Sequence, residues 1–473
     1  MSSDWEEYRF GELCDISRGA SPRPINEFMS DTGMPWVKIA DATASDSKFI
    51  ERTKERIKLD GASKSVKVFP GDLILTNSAT PGLPRFMSIE ACIHDGWMLL
   101  RNFRGLDKEF AFWLLMHERK NLVAQGNGSV FTNLKTDILR NHTVSIPSLE
   151  QQSVIAKILN SLSDKIQLNH QINQTLEQMA QAIFKSWFVD FEPVKAKIAA
   201  LEAGGSEDDA LLAAMQAIAG SALFATDAAD ADAPTQLARL QTEHPEQYTT
   251  LRATAELFPS AMQESDLGEI PEGWNAGQLS DIAMFTSNRI SVEELSVETY
   301  ISTENMLENK AGIRNAASLP SAATVIKFEP LHILVSNIRP YFKKIWLANF
   351  NGGRSADVLG FESKHQGTSE FLYNLLYQDQ FFDYMMLTSK GAKMPRGDKD
   401  AIMQFAIAVP PVELMKYFSQ RVEAFYNLIN MNSSGARSLS ELRDTLLPKL
   451  LSGELSLAAT EEQLTYAVEP AHV

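Results

Sequence analysis

The sequence contains only two cysteines, Cys14 and Cys92, too few for a disulfide framework and without the paired spacing of a zinc site. No run of about 18 apolar residues occurs, which argues against a membrane span. The start, Met1-Ser-Ser-Asp-Trp-Glu-Glu, lacks the basic and apolar regions of a secretory signal, so a cytoplasmic location is expected. Eight histidines are scattered from His94 to His472 without ligand spacing, and no metal site is expected. Catalytic strings are scarce too. There is no Gly-x4-Gly-Lys-Ser/Thr phosphate loop, which counts against ATP hydrolysis by this chain. The Asn/Asp-Pro-Pro-aromatic string that commonly holds an adenine amine is missing, since Pro410-Pro411 stands in Val-Pro-Pro-Val. Gly352-Gly353 lacks dinucleotide-binding spacing, and Asp72, after Pro-Gly, reads as the start of a strand rather than a nuclease carboxylate. No catalytic residue and no cofactor are assigned to this chain.

An overall basic charge is absent as well: the net charge is −16. Its distribution matters more than its sum. Residues 1–147 carry 19 basic and 19 acidic side chains, and 270–453 carry 18 and 19, whereas 193–269 carry 4 and 13. The acidity belongs to a connector and a tail, so either globular half can present a basic face.

What the chain does have is an internal repeat. Phe10-Gly-Glu-Leu-Cys-Asp-Ile matches Ala276-Gly-Gln-Leu-Ser-Asp-Ile, each preceded by a tryptophan, Trp5 and Trp274. Val68-Phe-Pro-Gly-Asp-Leu-Ile-Leu is echoed by Lys327-Phe-Glu-Pro-Leu-His-Ile-Leu, each a turn leading into an apolar strand. Glu109-Phe-Ala-Phe-Trp-Leu-Leu parallels Glu370-Phe-Leu-Tyr-Asn-Leu-Leu, with Asp107 and Ser369 or Thr368 placed to cap these helices. Val144-Ser-Ile-Pro matches Ile407-Ala-Val-Pro, each opening a long helix. Four matches in the same order predict two copies of a mixed α/β unit, each followed by a helix.

Those helices carry seams in a 4-3 pattern. The first is Ile155, Leu159, Leu162, Ile166, Asn169, Asn173, Leu176, Ala180, Ile183 and Trp187. Adding 263 gives Phe418, Val422, Phe425, Ile429, Asn432, Ala436, Leu439, Arg443, Leu446 and Leu450. A span from Ile155 to Trp187 is roughly 50 Å of helix, too long to bury against one small domain, so each helix is the other's natural partner. Asn169 and Asn432 share one register, as buried register-setting residues or as exposed ones at a frayed midpoint. Pro448 predicts a kink or an end near Thr445. Phe184, Trp187, Phe188 and Phe191 read as core or as an apolar docking patch.

Taken together these strings resemble the specificity subunit of Type I restriction–modification enzymes. The carriers are the Trp5-to-Ile16 start, Phe69-Pro-Gly-Asp-Leu-Ile-Leu, and Ile146-Pro-Ser-Leu-Glu-Gln-Gln-Ser-Val-Ile-Ala-Lys-Ile-Leu. Further carriers are Gln181-Ala-Ile-Phe-Lys-Ser-Trp-Phe-Val-Asp-Phe-Glu-Pro-Val, Leu267-Gly-Glu-Ile-Pro-Glu-Gly-Trp and Leu442-Arg-Asp-Thr-Leu-Leu-Pro-Lys-Leu-Leu-Ser-Gly-Glu-Leu. The second copy departs at Val409-Pro-Pro-Val-Glu-Leu-Met-Lys, which lacks Glu-Gln-Gln. The resemblance implies an α+β chain of two target-recognition domains held apart by two antiparallel coiled-coil helices. Each domain would read half of a split double-stranded DNA sequence. The chain itself would be non-catalytic. It would dock two modification subunits, which methylate adenine with S-adenosylmethionine, and restriction subunits that use ATP and Mg and cleave DNA. The two competing readings are a single-chain nuclease or methyltransferase with duplicated recognition modules, and a coiled-coil scaffold with no DNA role.

The expected layout is a first recognition domain at 1–147, a helix at 148–192, an acidic connector at 193–269, a second domain at 270–409, a helix at 410–453 and a flexible tail at 454–473. DNA contact calls for clustered Lys and Arg. Lys48, Arg52, Lys54, Arg56, Lys58, Lys64 and Lys67 are mixed with Glu51, Glu55 and Asp60, a pattern also fitting a solvated face. Arg18-Gly-Ala-Ser-Pro-Arg23 is a Gly/Pro loop with two guanidiniums. In the second domain stand Arg339-Pro-Tyr-Phe-Lys343-Lys344 and Lys390-Gly-Ala-Lys393-Met-Pro-Arg396, the latter in the repeat position of residues 126–129 and Lys135. The connector, with breaks at Gly204-Gly-Ser and Asp227-Ala-Ala-Asp, reads as a tether or an acidic docking module with short helices near 210–219 and 236–241.

Overall fold

A computed structural model describes residues 5–43, 47–125, 133–223, 233–391 and 393–455. Residues 126–129, the Asp227 break and the tail from 456 lie outside them.

The chain divides into two compact units, Met1–Gln171 with Asn432–Val473, and Ile172–Met431. In the first, strands Asp15–Arg18, Trp97–Arg101, Leu73–Thr76, Pro84–Met87 and Phe49–Ile50 lie side by side in that order. A second sheet orders Met29–Ser30, Glu55–Ile57, Met34–Val37, Ala91–Ile93 and Val66–Val68. The other unit repeats the plan. Ala283–Phe285, Val358–Ser363, Ile333–Ser336 and Ile345–Leu347 match the first four strands, and Thr324–Phe328, Gly352–Arg354 and Tyr300–Ile301 match the last three of the second sheet in reverse. Even the parallel pair recurs, Ala91–Ile93 with Met34–Val37 and Gly352–Arg354 with Tyr300–Ile301.

The structure moves the repeat register at one point. Gly71 (φ +86°) and Leu331 (φ +70°) occupy the same turn position. Their N–H groups donate to the carbonyls of Met87 and Ala348, each at 2.7 Å. The offset is therefore 260, not the 259 that the aligned strings give. Leu73 and Leu75 then match Ile333 and Val335, all in the main cores, and Ile74 matches Leu334, which faces the other way in both. A one-residue slip would have exchanged the two faces.

The long helices run Leu149–Phe188 and Val412–Leu451. Within the first unit, Ile155 and Leu159 share a core with Leu450 and Leu451, while Asn169 Nδ2 donates to the Asn432 carbonyl at 3.3 Å. Within the second, Trp187 lies 6.0 Å from Phe418, and Asn173 Nδ2 donates to the Ile429 carbonyl at 3.3 Å. The pairing is antiparallel in each. Ile155, Leu159, Leu162, Ile166, Asn169, Ile183, Phe418 and Val422 are buried, and Leu176, Phe425, Ile429, Asn432, Leu439 and Leu446 are half-buried. Asn169 is thus a buried register residue rather than a frayed one. Each unit takes the start of one helix and the end of the other, so a recognition domain does not keep its following helix to itself.

Several expectations fail. The second helix does not stop near Thr445. It continues through Pro448 to Leu451, because a proline near the end forfeits one bond while Leu450 and Leu451 are buried. Asp107 caps its helix by accepting from the Phe110 N–H at 2.8 Å, but Thr368 instead donates its hydroxyl to the His365 carbonyl. The described residues of the connector are packed helices rather than flexible links. Helices Glu192–Glu202, Glu207–Leu223, Ala233–Glu243 and Pro245–Glu256 bury Val194, Ala214, Met215, Ile218, Leu237 and Ala255 in the second unit's core, where Phe184, Trp187 and Phe188 also lie.

Candidate nucleic-acid interface

Both domains organise one end of the main sheet around a buried asparagine that follows a hydroxyl residue, Thr76-Asn77 and Ser336-Asn337. In the first domain the Asn77 N–H donates to the Gly96 carbonyl at 2.8 Å and Nδ2 to the Asp95 carbonyl at 2.9 Å. The Asn77 carbonyl accepts from the Leu134 N–H at 2.8 Å. One residue thereby ties a strand end, a turn between strands and the segment leading to helix Thr136–Asn141. In the second domain the Asn337 N–H donates to the Asp357 carbonyl at 2.8 Å and Nδ2 to the Gly397 carbonyl at 3.1 Å. Its carbonyl accepts from the Gly397 N–H at 3.3 Å. The same three segments meet.

The aspartates on these turns hold the cations. Ser21 Oγ donates to Asp95 Oδ1 at 2.7 Å, Arg18 Nε donates to the Asp95 carbonyl at 2.8 Å, and the Arg23 guanidinium lies 3.6 Å from Asp95 Oδ2. The Ser21 hydrogen bond, aided by Arg18, holds the Asp95 carboxyl below its usual range. A Cβ on Gly19 would stand 2.1 Å from the His94 carbonyl oxygen, so only glycine lets the loop approach this turn. Arg18 and Arg23 remain exposed by 61% and 82%, which leaves their guanidiniums able to exchange Asp95 for another anion. In the second domain Arg396 pairs with Asp357 at 2.5 Å and Lys390 with Asp398 at 2.5 Å. The Arg339 N–H donates to the Pro395 carbonyl at 2.8 Å, which joins its loop to the Lys390–Arg396 hairpin. Lys393 is exposed.

Of the residues singled out from sequence, the structure brings together Arg18 and Arg23, and separately Arg339, Lys390 and Arg396. Exposed Lys135 follows Leu134 in the segment pinned by Asn77. Lys54, Arg56 and Lys58 lie on or beside strand Glu55–Ile57 of the smaller sheet. There Arg56 donates to the Gly33 carbonyl and Lys58 to the Glu27 carbonyl, both at 2.8 Å. Lys48 turns inward, donating to Asn160 at 3.0 Å. Lys343 and Lys344 are occupied elsewhere. Lys343 joins Lys310 on Asp379, and Lys344, its ammonium pushed to lower pKa by burial, donates to the Thr303 carbonyl at 2.9 Å. Sequence reasoning missed Asn77, Asp95, Asn337 and Asp357. The hydroxyl-Asn pair after an apolar strand, repeated at 260, was the signal that could have found the two asparagines.

Among the described residues no cluster of His, Cys, Asp and Glu could hold a metal ion, and no helix is long and apolar enough to cross a membrane.

The type I restriction modification DNA specificity domain matches residues 2–178. The specificity subunit of the type I restriction enzyme HindI from Haemophilus influenzae is 30% identical, over 96% of this chain and 100% of that protein. This chain belongs to the family of type I restriction enzyme specificity subunits. It has two target-recognition domains. The MjaIX specificity subunit of Methanocaldococcus jannaschii is 22% identical over 96% of this chain and 94% of its own. A crystal structure of the S subunit from M. genitalium shares the fold, with a TM-score of 0.51 at 13% identity over 95% of this chain and 97% of that one.

Proposed function

We propose that each recognition domain reads one half of a split, asymmetric double-stranded DNA sequence through the sheet end built on Asn77 or Asn337. The observation that carries this reading is the recurrence of that end in both domains, with Arg18 and Arg23 held by Asp95 in the first and Arg396 held by Asp357 in the second, all three exposed. Guanidinium suits the task because its planar fork of donors matches phosphate oxygens and the acceptor pair on guanine. The paired helices then set the unread gap between the halves. The chain supplies recognition only. Two modification subunits bring S-adenosylmethionine and methylate adenine, and restriction subunits bring ATP and Mg and cleave.

The test is salt-dependent binding of the chain, assembled with its modification subunits, to a duplex carrying its target. Lys390, Lys393 and Arg396 changed together to Ala should weaken binding and lower the slope of log K against log salt by up to about 3. Unchanged affinity at every salt concentration removes this hairpin from the interface.

A further inference from the structure

The loops that follow Asn77 and Asn337 share a frame and differ at their tips. In the first domain Ala79 (φ +59°) and Gly82 (φ +75°) have left-handed backbone, and in the second Arg339 (φ +49°) and Lys343 (φ +49°) do. Three of these four are not glycine, although L side chains adopt this region rarely. Such outliers persist only where the surroundings over-determine them, and they gather at binding sites. Here the surroundings are alike, though the hydroxyls reach carbonyls at different distances along the loop, four residues on from Thr76 and two from Ser336. Thr76 Oγ1 donates to the Thr80 carbonyl at 2.5 Å, and Ser336 Oγ to the Ile338 carbonyl at 3.2 Å. The Thr76 N–H donates to the Leu83 carbonyl, and the Ser336 N–H to the Lys344 carbonyl, both at 3.0 Å. A hydroxyl, an asparagine and two left-handed residues therefore frame a similar loop in both domains, one residue longer in the second.

The exposed tips are unlike. Ala79 stands where the second domain has Arg339, and Tyr341, 48% exposed, extends beyond it against Phe342 with ring centroids 4.6 Å apart. The Arg339 guanidinium has no hydrogen-bond or ion-pair partner among the described residues, in contrast to Arg18, Arg23 and Arg396. A constant frame with exchanged tips is what two domains need to read different bases from a common docking pose.

We propose that these two loops are specificity-determining, one for each half of the DNA target. Arg339 and Tyr341 read base edges in the half taken by the second domain, and the 78–80 tip reads in the other. This rests on the DNA-recognition reading above. Arg339 offers the two donors that guanine O6 and N7 accept, and Tyr341 offers an aromatic edge with one hydroxyl.

The experiment assembles the full chain with its modification subunits and maps methylated adenines across a library of duplexes randomised over both half-sites. Arg339→Ala and Tyr341→Ala should each flatten base preference about tenfold or more at positions within one half only. Ala79→Arg should alter preference in the opposite half. The half left untouched shows in the same reaction that the complex is assembled and active. Unchanged preference in both halves for all three variants overturns the inference, as does equal weakening of both halves. Arg339→Lys and Tyr341→Phe guard against a folding defect: loss of methylation on every sequence by these two also overturns it, since it would mark a structural role. If the unaltered chain directs methylation to no split sequence, the recognition reading itself fails. If it does and the variants change nothing, only the loop assignment fails.

Discussion

Leu331 carries a left-handed backbone at the turn where the first domain has Gly71, and its side chain is 47% exposed. Little packing offsets the clash of its Cβ with the following carbonyl. Leu331→Gly should raise stability by about 1 kcal/mol, read as a higher urea midpoint; a lower midpoint would mean that the exposed leucine packs better than its surroundings suggest. Glu177 is strained in a different way. Its carboxyl accepts from Gln181 at 3.0 Å, Tyr426 at 3.3 Å and Tyr373 at 3.4 Å, yet burial pushes it up from 4.5 to about 6. The folded form thus holds its proton more tightly than the unfolded chain. The stability this group contributes is full below about pH 4.5 and is lost as pH rises through about 6. Glu177→Gln should therefore stabilise at pH 8 by up to about 2 kcal/mol and change little at pH 4. Denaturation midpoints at the two pH values check this, and equal effects at both would refute it.

At the scale of elements, the long helices were the most legible part of the sequence. A 4-3 apolar seam sustained from Ile155 to Trp187 leaves few alternatives, and of the two readings open for the aromatics Phe184, Trp187 and Phe188, core or docking patch, the structure shows core. Phe188 shows the consequence. It is buried, with Phe371 at 4.9 Å and Phe418 at 5.4 Å. Phe188→Ala should cost about 3–5 kcal/mol, whereas Leu428→Ala, at a position 41% exposed, should stay within about 0.5 kcal/mol. Unfolding by urea distinguishes them. The short strands were less legible. Repeat matching by residue type placed Phe69 on Phe328, while the turn geometry places Val68 there. Amino-acid similarity is blind to a one-residue slip, which only cross-strand pairing resolves. The packing of the connector is hard to read from sequence for a related reason. Its many alanines and acids look like a linker, but Val194, Met215, Ile218 and Leu237 find their partners in another part of the chain.

At the scale of the whole molecule, the acidic total hides two near-neutral recognition domains. The sequence pointed to the basic loops but could not say which cations were free. Lys343 and Lys344 look equivalent to Arg339 in a string, and their partners, Asp379 and the Thr303 carbonyl, lie about forty residues away in each direction. Arg18 and Arg23 converge on Asp95, more than seventy residues on. Long-range partners of this kind become visible only once the sheet order is known. Duplication explains why a DNA target would have two halves, and the unlike tips of matching loops explain why those halves would differ. The most direct measurement is to map methylated adenines by single-molecule sequencing in the genome of the source cell, with this gene present and deleted. One split, asymmetric motif that is methylated only when the gene is present is the expected result. An unchanged methylation pattern, or loss of an undivided motif, would contradict the account.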